Sequence, residues 1–251
     1  MRNSTHMADD RDTPEGDKAF PGVWQSLGWV VLFLILQLIV GVATIAIAVA
    51  LDKSGRELVE LTNDLTFVAG PTIASLVASS IALLALLFIY LNRQSRAARI
   101  GLNRWSAISP VATLGWAVGL IGLGLTLNYG YTEFVIPDIE MQQQLRKLFA
   151  ALPDTIPNQI MLVTAIVLIA PLLEELLFRG LLQNALHRHL PTWAAILGAA
   201  AIFGAVHMDL HAFPALMAMG AVFGLLYHKT GSLRVTIIAH MANNGAALLL
   251  S

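Results

Sequence analysis

Glu174 and Glu175 sit side by side in the apolar stretch APLLEELLFRGLLQ, and no charged residue separates them from Asp154. An ionisable group in such surroundings is costly, which makes each one a candidate functional group. On a continuous helix Glu175 and Arg179 are four apart on one face, the glutamate on the favourable N-terminal side, and they can neutralise each other. Glu174 points about 100° away and keeps no local partner. A carboxylate left alone in such a place suits general acid–base work. The plainer alternative is that both glutamates pair with Arg179 or mark the aqueous end of the helix.

Two further apolar segments carry polar groups. His207 closes AIFGAVH, and His240 and Asn244 are spaced four apart in AHMANNG. A lone histidine on an apolar helix is ordinarily a packed residue, and polar side chains often tie membrane helices together. An imidazole and an amide projecting together are also two hydrogen-bond donors, the equipment of an oxyanion hole. Asn243 lies near the same face, so spacing alone does not choose between the asparagines. Depth favours a shared site. If the helix bearing Glu174 runs on to about His189 and the next begins near Thr192, Glu174 and His207 each lie roughly 22 Å from that turn. His211 falls past a helix end, and His187, His189 and His228 belong to basic turns at an interface.

Elements must hold these residues, and the composition says which kind. The chain has 251 residues, 57% hydrophobic and 12% charged, with a mean hydropathy of +0.70. Soluble domains carry about a quarter charged residues, so a water-soluble globule is excluded. A net charge of −1 leaves no basic surface for nucleic acid, and the absence of cysteine removes disulfides and thiolate chemistry. Seven apolar runs are long enough, or nearly so, for helices that cross a bilayer. They are about Gln25–Leu51, Phe67–Leu91, Ala107–Tyr131, a fourth from near Pro157 into Glu174, then Pro191–Met208, Phe213–Tyr227 and Val235–Leu250. The expected fold is an all-α polytopic transmembrane bundle of about seven spans.

Polar connections fall at Asp52–Asp64 and Glu133–Asp154, the second containing MQQQLRKLFAAL, an expected amphipathic surface helix. Gly115, Gly119, Gly122, Gly124, Gly220 and Gly224 are expected to permit close helix packing. The organisation reads as a disordered cytoplasmic tail at 1–24, N-terminal helices at 25–156 and a transmembrane core at 157–251 that carries the candidate residues. Lys and Arg number eleven on one set of connections and four on the other. That asymmetry puts the N-terminus in the cytoplasm. Arg179, Gln183 and Arg188 continue from Glu174 toward the basic turns. The polar path is therefore expected to open there, with Gln183 and Ser232 reachable from the cytoplasm. No His-Glu-x-x-His, Gly-x-Ser-x-Gly or phosphate-cradling glycine loop occurs.

Glu174-Glu175-x-x-x-Arg179, Phe203-x-x-x-His207 and His240-x-x-x-Asn244, in that order on separate apolar segments, resemble the three signature motifs of one family. It is the CAAX prenyl endopeptidase type II and bacteriocin-processing family (CPBP, or Abi). The resemblance covers about residues 157–250 and implies an intramembrane glutamate protease. Glu174 would be the catalytic glutamate and His207 its partner in activating water. His240 and Asn244 would stabilise the oxyanion, while Glu175, Arg179 and Phe203 would support them. The implied substrate is a membrane-associated, perhaps prenylated, protein or peptide met within the lipid bilayer. No cofactor and no metal is expected. Other readings are a non-catalytic scaffold or immunity protein, and a zinc-dependent form with Glu174, His207 and His240 as ligands.

Overall fold

The computed structural model describes residues 20–92, 96–137 and 143–250. Of the tail expected at 1–24, residues 1–19 lie outside them; its end belongs to the fold instead, since Phe20 is buried in the core and a helix begins at Val23. Among the described residues every regular element is helical. Each apolar run forms a helix: α1 is Val23–Leu51, followed by the short α2, Leu58–Asn63, and by α3, Leu65–Leu91. Asp64 starts α3 by accepting the backbone N–H of Thr66 at 2.9 Å. The Thr66 hydroxyl and the Arg56 guanidinium hold this carboxyl down at about 2, so the cap stays ionised through neutral pH. Further along, α4 is Pro110–Phe134, with Ser109 as its cap and Pro110 in its first turn. At those positions the missing N–H of proline costs nothing.

The amphipathic α5 is Gln143–Ala150, where the sequence placed a surface helix. The helix bearing the two glutamates, α6, is continuous over Ile156–His187. It is followed by α7 at Thr192–Ala205, α8 at Phe213–Thr230 and α9 at Leu233–Leu250. Gly231 ends α8 with φ +61°, the left-handed conformation that glycine adopts without a Cβ clash.

Four helices are long and apolar enough to cross a membrane: α1, α3, α4 and α6. The expectation of about seven spans is met only to that extent. The fifth run forms a helix of 14 residues, about 21 Å long, short of the roughly 30 Å of a hydrocarbon core. Large apolar side chains such as Leu38, Val42, Phe88, Val111 and Val118 are exposed on the outside. In water so much exposed apolar surface would be a liability; against lipid it is the expected face.

Centrally placed, α6 touches α1 and α3 on one side and α7, α8 and α9 on the other, while α4 leans on α8 and α9. Its middle supplies much of the core, including Leu173, Leu177, Phe178, Leu181 and Leu182, each at most 1% exposed. The helix is not uniform. It widens to the π-helical i→i+5 pattern at Thr164–Ile169 and again at Glu175–Gln183. Pro171 lies between the two. Proline has no N–H to donate and its ring crowds the carbonyl four residues back, and a wider turn accommodates both.

The glycines divide. A Cβ on Gly115, Gly119 or Gly122 would meet nothing within 4 Å. The expectation of close packing there fails, because α4 meets α8 through Ala117, Leu120 and Ile121 and the three glycines stand off that contact. At Gly220 a Cβ would come within 3.1 Å of the Ala200 backbone, and at Gly224 within 2.6 Å of Gln183 Oε1. Gly220→Ala and Gly224→Ala should each lower the melting temperature in detergent, with an overpacking cost of about 1–3 kcal/mol. Gly115→Ala should leave it unchanged.

Candidate functional site

The centre of the site is a carboxylate that no solvent reaches. Glu175 is 0% exposed, and Arg179, one turn on, is 1% exposed. Glu175 Oε1 accepts from Arg179 Nη1 at 2.8 Å and from His240 Nδ1 at the same distance. The other nitrogen of Arg179, Nη2, donates to the Gly220 carbonyl at 2.9 Å. Its guanidinium carbon lies 4.8 Å from the centre of the Phe203 ring and 5.6 Å from that of Phe223. A buried ion pair gains little unless its remaining donors are satisfied. Here a carbonyl and two aromatic faces complete the guanidinium.

This one cluster therefore joins α6, α8 and α9 through Arg179, the Gly220 carbonyl and His240, with Phe203 of α7 against its flank. Phe203 stacks edge-on to Phe178, ring centroids 5.2 Å apart, and edge-on to His207 at 5.0 Å. His240 lies nearly flat on Phe223 at 4.4 Å.

Glu174 is placed differently from its neighbour. Its side chain is 17% exposed, and Oε2 stands 3.7 Å from His240 Nε2. That is too long for a hydrogen bond, yet catalytic contacts are often loose before substrate arrives. One imidazole thus bridges the two glutamates, with Nδ1–H on Glu175 and Nε2 toward Glu174. His207 donates Nδ1–H to the Phe203 carbonyl at 2.8 Å. In their neutral forms both histidines leave Nε2 as an acceptor. No direct hydrogen bond links Glu174 to His207 among the described residues. Phe203 lies between His207 and His240, its ring centroid 5.0 Å from the first and 6.4 Å from the second.

Asn244 Nδ2 donates to the Ile166 carbonyl at 3.0 Å, on the first widened turn of α6. Its second N–H remains. Asn243 Nδ2 donates to Asn244 Oδ1 at 3.3 Å, so the two asparagines, which spacing could not separate, act in series. His211 is exposed; its backbone N–H donates to Asp209 Oδ1 at 2.9 Å and its carbonyl accepts from Tyr131 Oη at 3.0 Å. His187 and His228 stack at 5.7 Å. Among the described residues no group of three or more His, Cys, Asp or Glu is placed to hold a metal ion.

The polar path expected to run from Glu174 to the basic turns is a closed seam. Gln183 is 1% exposed and Ser232 0%. One turn past Arg179, Gln183 Nε2 donates to the Gly224 carbonyl at 3.0 Å, repeating the contact of Arg179 with Gly220. Asn184 donates to Tyr227 Oη at 2.7 Å, and Tyr227 in turn donates to the Ile100 carbonyl at 2.9 Å. Side chains read as a solvent route are spent on helix–helix hydrogen bonds, and cysteines at Gln183 or Ser232 would be shielded. Sequence reasoning missed Asn184 and Tyr227. Their spacing carries no motif; the one available signal was a polar amide in an apolar run.

Residues 156–246 match the family model for the type II CAAX prenyl endopeptidase Rce1-like proteins. That match supports the family suggested by the three motifs, and it covers all of them. No curated protein and no solved structure matches the chain.

The two adjacent glutamates should separate cleanly in stability measurements. Arg179→Ala strands a buried carboxylate and should destabilise by about 3–5 kcal/mol. Glu174→Gln, at a partly exposed group with no hydrogen bond to lose, should change the unfolding midpoint far less. Denaturant or thermal unfolding in detergent micelles measures both.

Proposed function

We propose, from the match of residues 156–246 to a protease family, that this protein is an intramembrane endopeptidase. It would cleave a peptide bond near the C-terminus of a membrane-associated protein or peptide of the CAAX type. The observation that carries the reading is the division between the glutamates. Glu175 is consumed by Arg179 and His240, whereas Glu174 is 17% exposed with an imidazole nitrogen 3.7 Å away. Only Glu174 is free to meet a water and a substrate.

In this reading Glu174 takes a proton from water as its oxygen attacks the scissile carbonyl. The carbonyl becomes a tetrahedral oxyanion, and Glu174 returns the proton to the departing amine nitrogen. His207, fixed through Nδ1 to the Phe203 carbonyl, offers Nε2 to orient the water. Glu175, its charge balanced by Arg179, fixes His240 by Nδ1, so that Nε2 is aimed at the reacting region. His240 donates to an oxyanion only when Nε2 also carries a proton. The second amide N–H of Asn244 is the other donor. Such donors are typically worth about 3–4 kcal/mol each. Glu175 is a positioning residue in this scheme, acting through His240.

The excess of Lys and Arg on one set of connections supports a cytoplasmic N-terminus and, in a bacterium, a place in the inner membrane. Glu174→Gln keeps the shape and hydrogen bonding of the side chain but cannot act as a base. In purified protein it should lower turnover of a fluorogenic prenylated peptide by at least about 10²-fold, with the fold intact. Undiminished turnover would refute the mechanism, and a wild-type protein that never cleaves such peptides would refute the activity.

A further inference from the structure

At the opposite end of α8 from Phe213, two chain segments are laced together in a way that catalysis does not use. Ala107 N–H donates to the Thr230 carbonyl at 2.7 Å, and Leu233 N–H to the Gly101 carbonyl at 3.2 Å. Ser232 Oγ donates to the Arg104 carbonyl at 2.8 Å. Gly101 has φ +71°, and a Cβ there would lie 2.5 Å from the Gly231 carbonyl oxygen. Such an approach is open to glycine alone. The loop and the turn form one rigid platform.

Three cations stand on it. Arg104 and Lys229 are exposed and Arg234 is half-exposed. Lys229 Nζ lies 5.1 Å from the Trp116 ring centre and the Arg234 guanidinium 5.4 Å from that of Trp105. Among the described residues no carboxylate neutralises them. The sequence has no Asp or Glu between Asp64 and Glu133, and after Glu175 only Asp209, beside the far end of α8. None of the three cations has an ion pair among the described residues.

We propose that this platform binds the phosphate headgroup of an anionic phospholipid. Indole rings favour the level of lipid headgroups, and Trp105, 62% exposed, is offered to it. The aromatic faces hold the cations in place while leaving their charge uncompensated. A phosphate diester supplies the missing anion, and its acyl chains continue along the apolar flank of the bundle. Each Lys or Arg held near a lipid surface adds about fivefold to affinity for anionic lipid. The site is independent of the protease reading, and its test involves no turnover.

The full chain is placed in nanodiscs of phosphatidylcholine mixed in equal parts with phosphatidylglycerol, extracted, and weighed by native mass spectrometry. Wild type should retain phosphatidylglycerol in preference to phosphatidylcholine. Combined Arg104→Gln, Lys229→Gln and Arg234→Gln should lower that retention at least about tenfold. Should the triple variant misfold, Lys229→Gln and Arg234→Gln singly should each show about a fivefold loss. Arg146→Gln with Lys147→Gln, on α5 at the other end of the bundle, should retain the lipid as wild type does. Inorganic phosphate should not displace it. Equal retention by the platform variants, or an equal loss at Arg146 and Lys147, would overturn the site. Displacement by phosphate alone would overturn the lipid as its ligand.

Discussion

Everything around the site depends on one shared carboxylate oxygen. Glu175 Oε1 takes hydrogen bonds from Arg179 and His240 at 2.8 Å each, in a place where neither solvent nor another charge can substitute. A lone carboxylate there would be prohibitive. With Arg179 beside it, and with the guanidinium finished by the Gly220 carbonyl and two phenyl rings, the cluster becomes a bolt through three helices. Withdrawal of any one part leaves another buried and unpaired, so the geometry is fixed well beyond what apolar packing in lipid would give.

That bolt sets the geometry around Glu174 by consequence. With Nδ1 committed to Glu175, the ring of His240 has one remaining nitrogen, and the stack on Phe223 fixes where it points. Glu174 precedes Glu175 around the helix by about 100°, enough to leave the buried cluster and reach the other side of the same imidazole. Two identical side chains, adjacent in sequence, thus acquire different partners and different exposure. The glycines of α8 let this happen. Arg179 and Gln183 can donate to the carbonyls of Gly220 and Gly224 only because no side chain at either position holds the helices apart.

Much of this was legible before any coordinates. The apolar runs located the helices to within a few residues, and the four-residue step from Glu175 to Arg179 foretold their ion pair. The reading failed where it depended on what lies opposite. Gly115, Gly119 and Gly122 look like a packing stripe, yet stand off the contact with α8, because small residues state only that approach is allowed. Gln183 looks like the wall of a channel, yet its amide is bound to Gly224, a partner 41 positions away in the chain. The widened turns of α6 were invisible as well, since the i→i+5 register leaves no periodic mark in so short a stretch. His240 is the instructive residue: its place in a motif suggested an oxyanion donor, whereas only the structure shows its Nδ1 given over to Glu175.

The central claim, that Glu175 fixes the orientation and tautomer of His240, can be observed directly. Nitrogen-15 NMR of histidine-labelled protein, with His240 assigned by its loss in His240→Asn, reports which ring nitrogen carries the proton. The account predicts a protonated, strongly hydrogen-bonded Nδ1 that persists in Glu174→Gln and shifts in Glu175→Gln. An Nδ1 without a proton in the wild-type protein, or a signal indifferent to Glu175→Gln, would contradict it.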